Sequence, residues 1–366
     1  MTSTPSVSVI VPTYKEAQSL PSLLSRLAGV RDAISDLEVI IVDDDSQDGT
    51  DDAIAALELD WVRLIVRTED RGLSSAVLHG LREARGDVLI VMDADLSHPP
   101  EAVEAFVSAL RGDADFALGS RYVAGGSTED GWGVLRWINS KIATWMARPF
   151  TNAKDPMSGF IGLRRETWAQ AVDLDPVGYK IGLELIVKCR CTHVREVPIH
   201  FSTRQLGESK LTLRVQLEYL QHIVRLMRWK FPGWASFVPF AFVGASGMGV
   251  YVGLLALLGL LVPQWAIWQQ AVVAAIGAMA WNFVLDRWLA FWYARRGSVL
   301  RQFLGFMAIC SIPVAVNIFA TTWLAGGELV TPLAGLIGSL IGSVVGLLFN
   351  WLMSRWLIFH GAHNVT

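Results

Sequence analysis

The chain has 366 residues, is 52% hydrophobic and carries a formal net charge of -3. It lacks the basic excess of a nucleic-acid-binding protein, so no nucleic-acid partner is expected. The apolar residues are unevenly spread: residues 1 to about 230 alternate strand-like and helix-like patterns rich in charge, and long apolar runs dominate the rest. The pattern implies a soluble α/β domain followed by a membrane part. The N-terminal "MTSTPSVSVIVP" has no basic segment leading into an apolar core, so the first domain is expected to start in the cytoplasm.

In chain order, strands are expected at Val7–Val11, Val39–Val42, Val62–Val66, Val88–Met92 and Phe116–Gly119, with helical patterns between them. Such alternation implies a mainly parallel sheet with helices on both faces. Ligands of such sheets bind beyond the carboxyl ends of the strands. Polar clusters stand at those ends: "PTYKE" (Pro12 to Glu16), "DDDSQDGT" (Asp43 to Thr50), "DADLSH" (Asp93 to His98) and "GSRY" (Gly119 to Tyr122). One acidic turn would be an ordinary solvated turn; four clusters on one edge suggest one site. Asp93 and Asp95 could hold a hard divalent cation, act as an acid and base pair, or belong with Ser97 to a helix N-cap ahead of Pro99 and Pro100. The C-x-C of Cys189 and Cys191 has no second pair and reads as reduced or buried thiols.

Two basic amphipathic segments follow. Over 133–150, Leu135, Ile138, Ile142, Trp145 and Met146 share a helical face; over 211–230, Leu213, Leu217, Leu220, Val224 and Met227 do. Both suit a membrane surface or ordinary packing on a sheet, and the second leads directly into an apolar run. Four apolar segments come next, at about 236–262, 266–292, 301–325 and 330–358, each near or above the length of a spanning helix. The Arg-rich loop with Arg287, Arg295, Arg296 and Arg301 marks the cytoplasmic side, which puts both termini there. "NFVLDRWLAF" (Asn282 to Phe291) repeats as "NWLMSRWLIF" (Asn350 to Phe359), so the membrane part reads as two duplicated hairpins. This repeat resembles the GtrA-like four-helix family, whose members are associated with polyprenyl-linked sugars.

The motifs "PTYKE", "DDDSQDGT", "DADLSHPPE", "GSRYV", "SGF" at 158–160 and "GESKL" at 207–211 resemble those of family 2 glycosyltransferases with the GT-A (Rossmann-like) α/β fold, and more narrowly of dolichol-phosphate mannose synthases. The resemblance covers about residues 5 to 230. It implies that Pro12, Tyr14, Glu16, Val42 and Asp44 hold the guanosine of GDP-mannose, and that Asp93, Ala94 and Asp95 meet the ribose, diphosphate and metal. Asp95, with Asp93 and Ser97, would bind Mg²⁺ or Mn²⁺. Some relatives carry Gln where Ser97 stands, which makes Ser97 a weak or water-mediated ligand. Arg121 would act at the reacting centre, Arg204 and Lys210 would close over the diphosphate, and Arg121 with Arg136 would bind the lipid phosphate.

The expected organisation is a catalytic domain over 1–210, an interfacial helix and linker over 211–232, and an all-α four-helix transmembrane domain over 233–366. The expected activity is mannose transfer to dolichyl or polyprenyl phosphate at a cytoplasmic site, with Asp95, Arg121 and Arg136 as catalytic residues. An anionic acceptor needs no strong base, so His79 and His98 are read as structural. A UDP-glucose-dependent glucosyltransferase and a lipid-sugar flippase with a regulatory soluble domain are the rivals. A processive synthase is disfavoured, because Gln221 stands too far from Arg228 and Trp229 for a Q-x-x-R-W motif. Lipid length and oligomeric state are not legible in the sequence.

Overall fold

A computed structural model describes residues 5–128, 134–178, 180–202, 213–295, 297–325 and 345–359. The chain divides into two units, Met1–Leu226 and Met227–Thr366.

The first unit begins with β1 (Val7–Thr13), α1 (Leu20–Ala33), β2 (Leu37–Asp43), α2 (Thr50–Ala55), β3 (Val62–Val66), α3 (Leu73–Glu83), β4 (Val88–Val91), α4 (Val103–Arg111) and β5 (Phe116–Ser120). It continues with β6 (Ser127–Thr128), α5 (Val134–Ala147), β7 (Ile161–Arg164), α6 (Arg165–Trp168), α7 (Ile181–Lys188), β8 (Val194–Pro198), β9 (His200–Phe201) and α8 (Leu213–Lys230), whose last turn, from Met227, belongs to the second unit. Seven strands form one sheet in the order β3-β2-β1-β4-β7-β5-β8, and β6 pairs with β9. The sheet is parallel except for β7, which runs antiparallel to both β4 and β5. Strand β7 was not expected from the sequence. Its four residues, "IGLR", are too short for a period to emerge, and they are buried between two neighbours.

Alternation along the strands sorts the core into two layers. Val7, Val9 and Val11 of β1, Val39 and Ile41 of β2 and Ile90 of β4 pack with Leu20, Leu24 and Leu27 of α1 and Phe106 of α4. The intervening Ile10, Ile40, Val42, Leu89 and Val91 face the other way, onto Val77 and Leu81 of α3 and Ile181 and Leu185 of α7. A one-residue slip of any central strand would exchange the layers, so the register is strongly specified.

Two helices of this unit keep apolar side chains on the outside. On α5, Ile138, Ile142 and Trp145 are exposed; on α8, Leu217, Leu220 and Val224 are. The opposite side of α8 buries His222, Ile223 and Leu226. It is held by Tyr219 Oη donating to Ala143 O (2.8 Å), by an Arg225–Asp175 ion pair, and by His222 Nδ1 lying 3.4 Å from Glu184 Oε2.

The second unit contains α9 (Pro232–Leu261), α10 (Ile267–Leu289), α11 (Val299–Ala325) and α12 (Val345–Ile358). Helices α9 and α10 are each long and apolar enough to cross a membrane, and α12 is a shorter apolar helix. Large apolar side chains such as Phe242, Leu260, Ile267 and Trp268 are exposed along them. The start of the fourth expected span lies outside the described residues. Asn282 of α10 lies directly against Gly247 of α9, where any Cβ would collide. Trp281 Nε1 donates to Ser246 Oγ at 3.0 Å, and Trp351 Nε1 to Ser236 Oγ at 3.1 Å. Phe291 and Phe359, the equivalent last residues of the two repeat copies, stack on each other with centroids 4.3 Å apart and rings 10° from parallel. Arg287 donates to Gln302 Oε1 (2.9 Å) and Gly297 O (3.1 Å), so it fastens the loop after α10.

Candidate active site

The loops leaving β1, β2 and β4 each hold a non-glycine residue in the left-handed region: Lys15 (φ 61°), Asp45 (55°) and Gln47 (51°), and Leu96 (61°). Each such residue costs about 1–3 kcal/mol and persists only where its surroundings enforce it. Here side-chain hydrogen bonds do so. Asp43 Oδ2 accepts from Ser46 N (2.9 Å), Asp43 Oδ1 accepts from the Ser46 hydroxyl, and Ser46 Oγ in turn accepts from Lys15 N (2.8 Å). The β1 and β2 loops are thereby tied together. Pro12 and Val42 are register partners at these strand ends and both are buried, whereas Tyr14 is 49% exposed beside the half-buried Glu16.

Asp44 is buried, with Oδ2 accepting from Gly72 N (2.7 Å) and Oδ1 lying 3.5 Å from Arg67 Nε. Gly72 has φ 142°, a conformation that favours glycine, and it brings its N–H to Asp44 at the start of α3. Asp44 is therefore held in a fixed position by a cation and a backbone donor.

After β4 the chain doubles back through Leu96, so that Ser97 N (3.0 Å) and Ser97 Oγ (2.6 Å) both donate to Asp95 Oδ1. Asp95 and Ser97 are buried, as is Ala94. Asp93 keeps its side chain 27% exposed. Its backbone N–H donates to His98 Nδ1 at 3.0 Å. His98 is buried, stacks on Phe160 (5.0 Å) and meets Phe201 edge-on (5.7 Å). Burial holds the imidazole below its usual pKa, against the opposing pull of Asp93. It is a neutral acceptor that shapes the aspartate loop, and it lacks the exposure a general base would need. Phe160 of "SGF" stacks on Phe106 (4.4 Å), and a Cβ at Gly159 would stand 3.6 Å from Asp93 Oδ1.

Arg121 leaves the end of β5 and grips Asp155 by a bidentate pair, Nε to Oδ2 at 2.7 Å and Nη2 to Oδ1 at 2.8 Å, with its own N–H donating to Oδ2 at 3.1 Å. Asp155 is fully buried, and its backbone N–H donates to Glu196 Oε1 of β8 at 3.0 Å. Burial opposes the Arg121 charge, but Asp155 outweighs it and holds the guanidinium pKa above its ordinary value. Asp93, Asp95, Arg121 and Asp155 together make up the electrostatic surroundings of His98. The Asp93–Asp95 end of β4 and the Arg121 end of β5 thus form one charged centre. Tyr122, next in sequence to Arg121, lines a cleft of ≈260 Å³ with Lys141, Thr144, Trp145, Arg148 and Lys154.

Asp155 and Lys180 belong to this centre but carry no sequence signal of their own. Lys180 Nζ donates to Met157 O at 3.1 Å, and its charged neighbours are Arg121, Asp155 and Asp93. Arg204 and Lys210 lie outside the described residues, as does the Arg136 side chain, although its backbone belongs to α5. Cys189 and Cys191 are free thiols, and burial pushes Cys189 up to about 12.

Among the described residues no group of three His, Cys, Asp or Glu side chains is assembled for a metal. The two carboxylates at Asp93 and Asp95 nevertheless suit a Mg²⁺-like ion, which commonly takes one or two carboxylates and completes its shell with substrate phosphates and water. The Ser97 hydroxyl is directed at Asp95, so it orients that carboxylate.

The glycosyl transferase family 2 profile matches residues 8–169, and the GtrA/DPMS transmembrane domain profile matches 239–359. A dolichol-phosphate mannosyltransferase from Pyrococcus furiosus is 39% identical over 357 residues, covering 95% of this chain and 98% of that protein. The chain is a family 2 glycosyltransferase of the dolichol-phosphate mannosyltransferase group. Two fungal members bear the same name. The one from Mycosarcoma maydis is 43% identical over 75% of this chain and 92% of its own length; that from Saccharomyces cerevisiae is 44% identical over 61% and 88%. The sheet order and the charged centre at its carboxyl edge therefore belong to a GT-A transferase, and the second unit is its membrane domain.

Proposed function

We propose that this transferase moves mannose from GDP-mannose to a dolichyl or polyprenyl monophosphate at the cytoplasmic face of a membrane. The observation that carries the reading is the pairing of two opposite charge settings on one sheet edge. Asp93 and Asp95 follow β4, and the clamped cation Arg121 follows β5. Pro12 and Val42 at the ends of β1 and β2, with Tyr14, Glu16 and Asp44 in the loops after them, would receive the nucleoside. Asp93 and Asp95 would hold a divalent ion, Mg²⁺ or Mn²⁺, which when bound neutralises the leaving diphosphate. Arg204 and Lys210 would close over that diphosphate.

Arg121 and Arg136 receive the acceptor phosphate and screen it from the donor. An oxygen of that phosphate attacks C1 of mannose as the bond from C1 to the diphosphate oxygen breaks. The departing GDP takes the electron pair. No proton has to move, because the acceptor is already an anion at neutral pH. That agrees with a centre whose buried histidine is occupied as an acceptor. The interaction supplied by Arg121 grows with charge on the transferring oxygens, the term that usually dominates such catalysis.

The exposed apolar stripes of α5 and α8 suit the bilayer interface, with the basic cleft beside Tyr122 turned to lipid phosphates. Four spans with both termini cytoplasmic complete the proposal, since the stretch from Arg295 to Arg301, between the second and third expected spans, is the basic one. To test the function, purified full-length protein would be offered GDP-mannose or UDP-glucose, with Mn²⁺ and a short polyprenyl phosphate. Lipid-linked mannose formed from GDP-mannose is expected. Glucose transfer from UDP-glucose in its place would assign the donor wrongly.

A further inference from the structure

Lys180 has no role in the steps above. It precedes α7, is half-buried, and donates to Met157 O at 3.1 Å. Met157 lies in the 149–160 segment, where Asp155 grips Arg121 and Gly159 backs Asp93. An ammonium has three donors, and among the described residues this carbonyl takes one. Asp155, the carboxylate that acts most strongly on it, is already engaged by both nitrogens of the Arg121 fork. Lys180 is thus a second cation in the Arg121 neighbourhood, with donors to spare. Burial and the Arg121 charge push its amine down to about 8, the mark of a cation whose positive form lacks full compensation. An arriving anion would supply the missing compensation. On the donor side the two aspartates are suited to recruit a divalent ion for the diphosphate, so the remaining anion in need of a cation is the acceptor.

We propose that Lys180 contacts the acceptor's phosphate oxygens directly, joining Arg121 and Arg136 in the seat for the lipid phosphate. This rests on the reading of the acceptor as a lipid monophosphate. The ammonium donates through a charge-assisted hydrogen bond, and its attachment to Met157 fixes where the phosphate sits relative to C1 of the sugar.

The test uses full-length protein with Lys180→Met and Lys180→Arg. KM for polyprenyl phosphate, kcat, and GDP-mannose affinity without acceptor would be measured for each. Lys180→Met is expected to raise the lipid KM by roughly 10- to 100-fold, the worth of one hydrogen bond to a charged group. GDP-mannose affinity should be unchanged, and Lys180→Arg should recover most of the lipid KM. A purely structural lysine would not separate the two substrates in this way. If Lys180→Met fails to purify, Lys180→Gln keeps a donor for Met157 O and should give the same split. A matching loss of GDP-mannose affinity would assign Lys180 to the diphosphate, and an unchanged lipid KM would remove it from the site; either overturns the proposal. Absence of mannosyl transfer by the wild-type protein would refute the underlying acceptor reading.

Discussion

Replacing Asp95 with asparagine is expected to lower mannosyl transfer by about three orders of magnitude, the scale of losing one main electrostatic contributor, while the protein stays folded. The asparagine carbonyl still accepts from Ser97 N and Ser97 Oγ, the two bonds that keep the loop turned at Leu96. What disappears is the negative charge that a divalent cation requires. Asp95→Ala should lose as much activity and also weaken the loop, because two buried donors lose their acceptor at about 1–3 kcal/mol each. Turnover and Mn²⁺-dependent GDP-mannose binding, measured beside a thermal melt, separate the two effects. Near-normal turnover of Asp95→Asn, with unchanged metal dependence, would remove Asp95 from the metal site.

Asp155→Ala is expected to act on both stability and activity. It strips the counter-charge from Arg121, whose side chain is only 11% exposed. Leaving one member of such a pair unpaired costs about 3–5 kcal/mol, which lowers the melting temperature of a unit this size by about 10 °C. Transfer should be lost as well, because the guanidinium no longer has a fixed direction. Joint replacement, Arg121→Met with Asp155→Leu, should recover much of the melting temperature without any activity. That outcome would separate the pair's cost to the fold from its use in catalysis. A melting temperature within a degree of wild type for Asp155→Ala would mean that water already compensates Arg121.

The central strands and the motifs after them were legible because β1, β2 and β4 are short, nearly continuous apolar runs, as strands buried on both faces are, and the polar clusters end them. The partners of the motifs were not. Asp155 meets Arg121 across 34 residues, and the sequence contains nothing at position 155 to announce it. The pairing exists because β7 returns antiparallel between β4 and β5 and draws the 149–160 segment across the edge. Lys180 was hidden for the same reason. His98 reads from sequence as structural, and the structure gives the cause in its acceptance of the Asp93 N–H. Ser97, expected beside Asp95 as a weak or water-mediated metal ligand, donates its hydroxyl to Asp95, a pairing that the motif spacing alone does not reveal. In the second unit the two copies of the N-x-x-x-x-R-W motif lie towards the ends of α10 and α12, and the residues that close them, Phe291 and Phe359, stack on each other.

The account rests on a single in-line displacement with the acceptor phosphate as nucleophile. No described side chain at the carboxyl edge is set up as a nucleophile with a base behind it, as a covalent double displacement would require. The anomeric configuration of the purified lipid-linked mannose, determined by NMR after reaction with α-linked GDP-mannose, tests this directly. A β-mannosyl phosphate is the predicted product. An α-linked product would contradict the mechanism and point to a second displacement at this edge.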